Sequence, residues 1–189
     1  APRYGNGNAY NDWFLKWASE TFAQLVNAGE GPRGPFYAGL FPVAFHVFYG
    51  LTTAATPDGR KLGEPLADGI SPMQQMDTNG PTVLLSSILG NLNQYEFPDG
   101  TLLNLKFHPT AFANEQGMRK VQALMCTYFD QGGMELQLNV VSGDTLRTAQ
   151  SNPEDYQDLV VRVAGFSAYF VELSRQSQDD IISRTEITL

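Results

Sequence analysis

The apolar positions change their period several times along the chain, and each change predicts an element. Trp13, Phe14, Trp17, Phe22, Leu25 and Val26 give a helix its apolar face. Asn8 or Asn11 can cap that helix, and residues 1–7 (APRYGNG) read as the loop leading in. The Gly and Pro positions of 29–35 break it. Residues 41–49 are dense in aromatics and Val and predict a buried strand. Residues 50–82 have little periodicity and many Gly and Pro. They predict a long loop, of the kind that is functional or docked on something. A second helix starts at Thr82, with Leu84, Leu85, Ile88, Leu89 and Leu92 on one side. Residues 102–107 predict a strand, 116–128 a helix, and 134–141 (MELQLNVV) an alternating strand. Asp144 or Ser142 can cap a short helix through Gln150. Residues 159–163 (LVVRV) form another apolar strand, and 168–182 predict an amphipathic C-terminal helix. Strands that alternate with helices make the fold class α/β.

Composition narrows the function. At 189 residues, the chain is long enough for one domain, 1–189, with a buried core. Apolar residues are 42%, which excludes a disordered acidic tail. Twelve Lys and Arg against 20 Asp and Glu leave a net charge of −8, so no nucleic acid partner is expected. The single cysteine excludes a disulfide framework and a Cys-rich metal centre, and it fits a reducing, cytoplasmic setting. The most apolar stretch, 36–49, is interrupted by Gly39, Pro42 and His46 and is too short to span a membrane. The chain opens on Ala1 without a secretory leader pattern, as a processed protein or a piece of a longer one would.

Conventional active-site constellations are incomplete. LVVRV followed by Gly165-Phe166-Ser167 and a helix imitates the nucleophile elbow of a hydrolase. Tyr169 stands where that motif needs a small residue, and both His46 and His108 precede the Ser. The two histidines lie far apart and have no i, i+4 partner, so no metal is expected. His46, among apolar neighbours, reads as a hydrogen-bonded core histidine. Asp179-Asp180 and Glu154-Asp155 are adjacent carboxylates that do not share a helix face, and they read as solvated. Cys126 lies in an apolar helical stretch without a cationic neighbour, so packing is its expected role.

Residues 159–174, LVVRVAGFSAYFVELS, resemble the radical signature of glycyl radical enzymes. Further blocks resemble the same family in the same order: ATPDGRKLGEPLADGISP (55–72), NGPT (79–82), LLNLKFHP (102–109), MELQLNVVSGDTLRTAQSNPEDYQDLVVRV (134–163) and QDDIISRTE (178–186). Together they cover about three quarters of the chain and look most like the eliminating branch, which includes diol, glycerol and hydroxyproline dehydratases and choline and isethionate lyases. The resemblance implies the C-terminal part of a ten-stranded β/α barrel, with the radical on Gly165. Glycine suits that role physically. A Cα radical flattens to delocalise between its own nitrogen and carbonyl, and glycine has no Cβ to obstruct it. The resemblance also implies that no cofactor is bound in the chain. A separate activase, using S-adenosylmethionine and an iron–sulfur cluster, installs the oxygen-sensitive radical.

The family's catalytic cysteine sits in a Gly-Cys-x-Glu motif that this sequence lacks. Cys126 lies between Met125 and Thr127 and does not match it. The expected partner is therefore a larger polypeptide bearing the Cys and Glu, either a separate subunit or the remainder of the chain. There the thiyl drives C–O, C–N or C–S cleavage of a small molecule. The alternative is a spare part that replaces the oxygen-cleaved radical domain of a full-length enzyme. Residues 41–49 and 50–82 are expected to face the partner, because half a barrel leaves unpaired strand edges.

Overall fold

The structure, a computed structural model, describes residues 3–189. Helix α1 (Ala9–Asn27) starts where Asn8 accepts hydrogen bonds from the Tyr10 and Asn11 amides. Its buried side is not the aromatic one. Asp12, Ser19 and Ala23 face inward, while Trp13 and Trp17 are half exposed and stack on each other, centroids 6.3 Å apart. Small residues on the inner side bring α1 close to helix α3 (Pro81–Asn91), where buried Asp12 accepts from the Ser87 hydroxyl at 2.9 Å.

A short hairpin of β1 (Glu30–Gly31) and β2 (Gly34–Pro35) follows α1, then strand β3 (Gly39–Leu40). The strand expected over 41–49 is absent. Val43 and Ala44 take left-handed backbone angles, φ 45° and 68°, and reverse the chain into helix α2 (Phe45–Thr52). Phe45, Phe48 and Tyr49 are spaced i, i+3, i+4, so the helical period was present beneath the strand-like composition. These rings point outward, and His46, Val47 and Gly50 are buried instead. A Cβ on Gly50 would lie 2.3 Å from the Glu64 carbonyl, so α2 rests directly on the loop that follows it.

Of the loop expected over 50–82, residues 53–80 hold no helix or strand, while its two ends belong to α2 and α3. Buried Arg60 organises their first part by donating to the carbonyls of Thr53, Ala54, Lys61 and Glu64. Strand β4 (Gly100–Phe107), helix α4 (Glu115–Asp130), strand β5 (Glu135–Val140) and helix α5 (Gly143–Ser151) match the expected elements, and Ser142 is the α5 cap. The C-terminal helix is shorter than expected. Its first third is instead strand β7 (Ser167–Tyr169), antiparallel to β6 (Val160–Arg162), followed by a 3₁₀ turn. Helix α6 (Arg175–Ser183) begins at the Ser174 cap, and strand β8 (Glu186–Ile187) follows it.

The main sheet is parallel, in the order β3-β4-β5, and β8 pairs with the end of β4. Residues 101–107 are buried throughout, as helices and loops cover both sheet faces. One core joins this sheet to α3 and α4 through Leu84, Ile88, Phe97, Leu103, Phe107 and Tyr128. A second joins α5 and α6 to the hairpin through Leu146, Val161, Val163, Phe170 and Ile181. No helix among the described residues is long and apolar enough to cross a membrane.

Candidate functional site at the β6–β7 hairpin

The tip of the β6–β7 hairpin holds Val163, Ala164, Gly165 and Phe166. It is closed by a 2.9 Å bond from the Val163 amide to the Phe166 carbonyl. Val161, Val163 and Ala164 are buried and anchor the hairpin, whereas Gly165 and Phe166 are exposed. Gly165 has φ +88°, a conformation L side chains rarely adopt, and a Cβ built there would meet nothing within 4 Å. The hydrogen that occupies the Cβ position of an L residue thus faces open space.

Strand β5 holds the hairpin. Gln137 accepts the Gly165 N–H on Oε1 at 3.1 Å, and its Nε2 donates to Glu135 at 2.6 Å. Asn139 binds both main-chain groups of Arg162, each at 2.8 Å. Gln137 and Asn139 are both buried. Their alternation in MELQLNVV read only as a strand, and nothing in the sequence said which glycine they would meet.

Other candidates fall elsewhere. Ser167 lies in β7 and accepts from the Arg162 guanidinium at 3.0 Å, so the strand–turn–helix of a nucleophile elbow does not form. His46 is the expected core histidine: its Nε2 donates to Asp180 Oδ2 at 3.0 Å. Asp180 itself corrects the solvated reading. It is buried on α6 and also binds Arg184 at 3.0 Å and Gln74 at 2.7 Å, while Asp179 next to it is exposed. Burial alone would raise the Asp180 carboxyl, but the His46 hydrogen bond and the Arg184 charge hold it below the usual range. Glu154 and Asp155 are exposed, as expected. His108 caps a 3₁₀ turn. Cys126 is exposed on α4, so the packing role expected of it is not what the fold provides. Among the described residues no group of three or more His, Cys, Asp or Glu could hold a metal ion.

The family model described as glycine radical matches residues 66–171, which include β4, β5 and the whole hairpin. This chain belongs to that family. The probable dehydratase YbiW of Escherichia coli (strain K12) is 42% identical over 98% of this chain and 24% of its own length. The trans-4-hydroxy-L-proline dehydratase of Clostridioides difficile is 38% identical over 99% of this chain and 24% of its own. The glycerol-bound form of the B12-independent glycerol dehydratase from Clostridium butyricum superposes with a TM-score of 0.95. It is 43% identical and is covered over 24% of its length by all of this chain. The chain thus spans about a quarter of the relatives it matches. Its α/β fold is the corresponding portion of a glycyl radical enzyme barrel, and its relatives are dehydratase and lyase enzymes.

Proposed function

We propose that this chain is the radical-bearing portion of a glycyl radical lyase that eliminates a group from a small substrate, with the radical on Gly165. The observation that carries the reading is the state of that residue: left-handed φ, amide held by Gln137, and the Cβ side of Cα open. Abstraction breaks one Cα–H bond. The hydrogen atom leaves with the attacking radical, and one electron stays on Cα, shared with the peptide on either side. The attacking radical comes from an activase that uses S-adenosylmethionine and an iron–sulfur cluster.

Turnover needs a thiol. A cysteine returns a hydrogen atom to Gly165 Cα and becomes the thiyl that attacks the substrate, leading to C–O, C–N or C–S cleavage. Cys126 is a poor candidate, since it stands between Met125 and Thr127 and outside the Gly-Cys-x-Glu context of the family's thiol. The thiol therefore belongs to the remaining three quarters of the length seen in relatives, carried on the same polypeptide or on a larger subunit. The exposed aromatic sides of α1 and α2 support a large contact with that portion. Two cores closed within these residues favour a second reading, a repair part exchanged as a unit.

Anaerobic activation, with and without the Cys-bearing polypeptide, tests both readings. A glycyl EPR doublet that disappears in Gly165→Ala, with turnover only when the thiol partner is present, is the expected result. Rescue of an oxygen-cleaved full-length enzyme would instead support repair. Absence of a radical under every condition would overturn the proposal. Gly165→Ala should still fold: the site has room for a methyl group, and the left-handed backbone costs about 1–2 kcal/mol.

A further inference from the structure

The hairpin that carries Gly165 lies beside β5 without joining its ladder. β6 and β7 form their own two-stranded sheet, and among the described residues β5 pairs only with β4. Amide side chains on β5 replace a backbone ladder. Asn139 clamps Arg162 on β6, and Gln137 takes the Gly165 N–H at the tip. The two residues are two apart on the strand and so share a face. Hydrophobic burial of Val161, Val163 and Ala164 holds the body of the hairpin, but the tip residue is held through Gln137.

The orientation of Gln137 is dictated by its surroundings. Its Nε2 meets the Glu135 carboxylate, which can only accept, and its Oε1 meets the Gly165 N–H, which can only donate. Reversing the amide would lose both bonds.

We infer that Gln137 is a positioning residue for Gly165, docking the glycine amide and tuning the radical centre through it. This rests on Gly165 being the radical site. A hydrogen bond accepted from the glycine N–H leaves more electron density on nitrogen, and that nitrogen is the donor half of the system over which the unpaired electron spreads. Glu135 acts one step behind by keeping the Gln137 oxygen aimed at the amide. Gln137 thus links the resting geometry of the tip to the electronic structure of the radical.

Three variants of the complete enzyme test this. Gln137→Met keeps the length of the side chain and removes the amide acceptor. Glu135→Ala, at an exposed position, removes only the orienting bond. The double variant Glu135→Gln with Gln137→Glu swaps donor and acceptor and restores a group that accepts from Gly165. Before activation, amide exchange at Gly165 should quicken about tenfold in Gln137→Met, the loss of one ordinary hydrogen bond. It should quicken less in Glu135→Ala and return toward wild type in the double variant. After activation, the coupling of the exchangeable amide proton, read by ENDOR, should change in Gln137→Met and recover in the double variant. A role confined to holding the fold would not move that coupling. Exchange within twofold of wild type in both single variants, or an unchanged coupling in Gln137→Met, would overturn the inference. If Gly165→Ala still gives the radical, the site assignment fails, and the exchange measurements still decide whether Gln137 docks the tip.

Discussion

Replacing Asp180 with Asn should loosen the helix that seats the hairpin. Asp180 is 2% exposed and accepts three bonds: from His46 Nε2 at 3.0 Å, Arg184 at 3.0 Å and Gln74 Nε2 at 2.7 Å. Asn has the same shape but only one accepting oxygen. At least one donor must then face its NH₂ group, and Arg184 keeps only Asp68, at 3.5 Å, as a counter-charge. Breaking a buried charge pair costs about 3–5 kcal/mol. The surviving Asp68 contact places this case near the lower end, about 3 kcal/mol, or about 6–12 °C in Tm for a protein of this size. The loss should carry a pH signature. The folded Asp180 carboxyl is held below its ordinary value, so its contribution is present above the ordinary carboxylate range and disappears as pH falls through the folded value. Urea unfolding followed by far-UV circular dichroism, repeated across pH, should show the widest gap to wild type at neutral pH and a narrowing gap below about pH 4. The hairpin should respond too, because Ile181, next to Asp180, packs in the same core as Val161 and Val163. A variant within about 1 kcal/mol of wild type at neutral pH, or a gap that ignores acid, would mean that the Asp180 charge does not hold α6 in place.

Other outcomes follow from the same structure. Trp13→Ser with Trp17→Ser should change the stability of this portion by no more than about 0.5 kcal/mol per site, since both rings are half exposed. The same pair should weaken binding to the proposed Cys-bearing portion by at least about tenfold, measured by titration of the two portions made as separate polypeptides. Burial pushes the Lys106 ammonium down to about 8, with Glu186 opposing and Arg184 reinforcing the shift. The unfolded chain therefore binds this proton more tightly, and stability should rise with pH from about 8 to the ordinary 10.5. Lys106→Met should flatten that rise in chemical denaturation across the interval. Cys126→Ser should leave turnover of the activated complete enzyme unchanged in an anaerobic activity assay, because the exposed thiol on α4 is not the one proposed to receive the radical.

The sequence was most legible where local pattern and burial agree. Strands β4 and β5, helices α3 and α4 and the Ser142 cap all lie near their expected places, because each carries its own period or cap. It misled where a surface has the composition of a core. The rings of 41–49 suggested a buried strand, but Phe45, Phe48 and Tyr49 form the outward side of α2. The apolar residues of α1 suggested a core face, but the helix buries Asp12, Ser19 and Ala23. Hydrophobic pattern records that a side chain is to be covered, not whether the cover lies within these residues.

The family, the α/β class and the glycine in its motif can be read from residue identity and order alone, because each resides there. How that glycine is held emerges only when the chain has folded. Gln137 reaches Gly165 across 28 positions of chain, and Asp180 meets His46 across 134. Neither contact leaves a local trace, because a buried polar side chain is defined by the partner that satisfies it, and folding alone brings the two together.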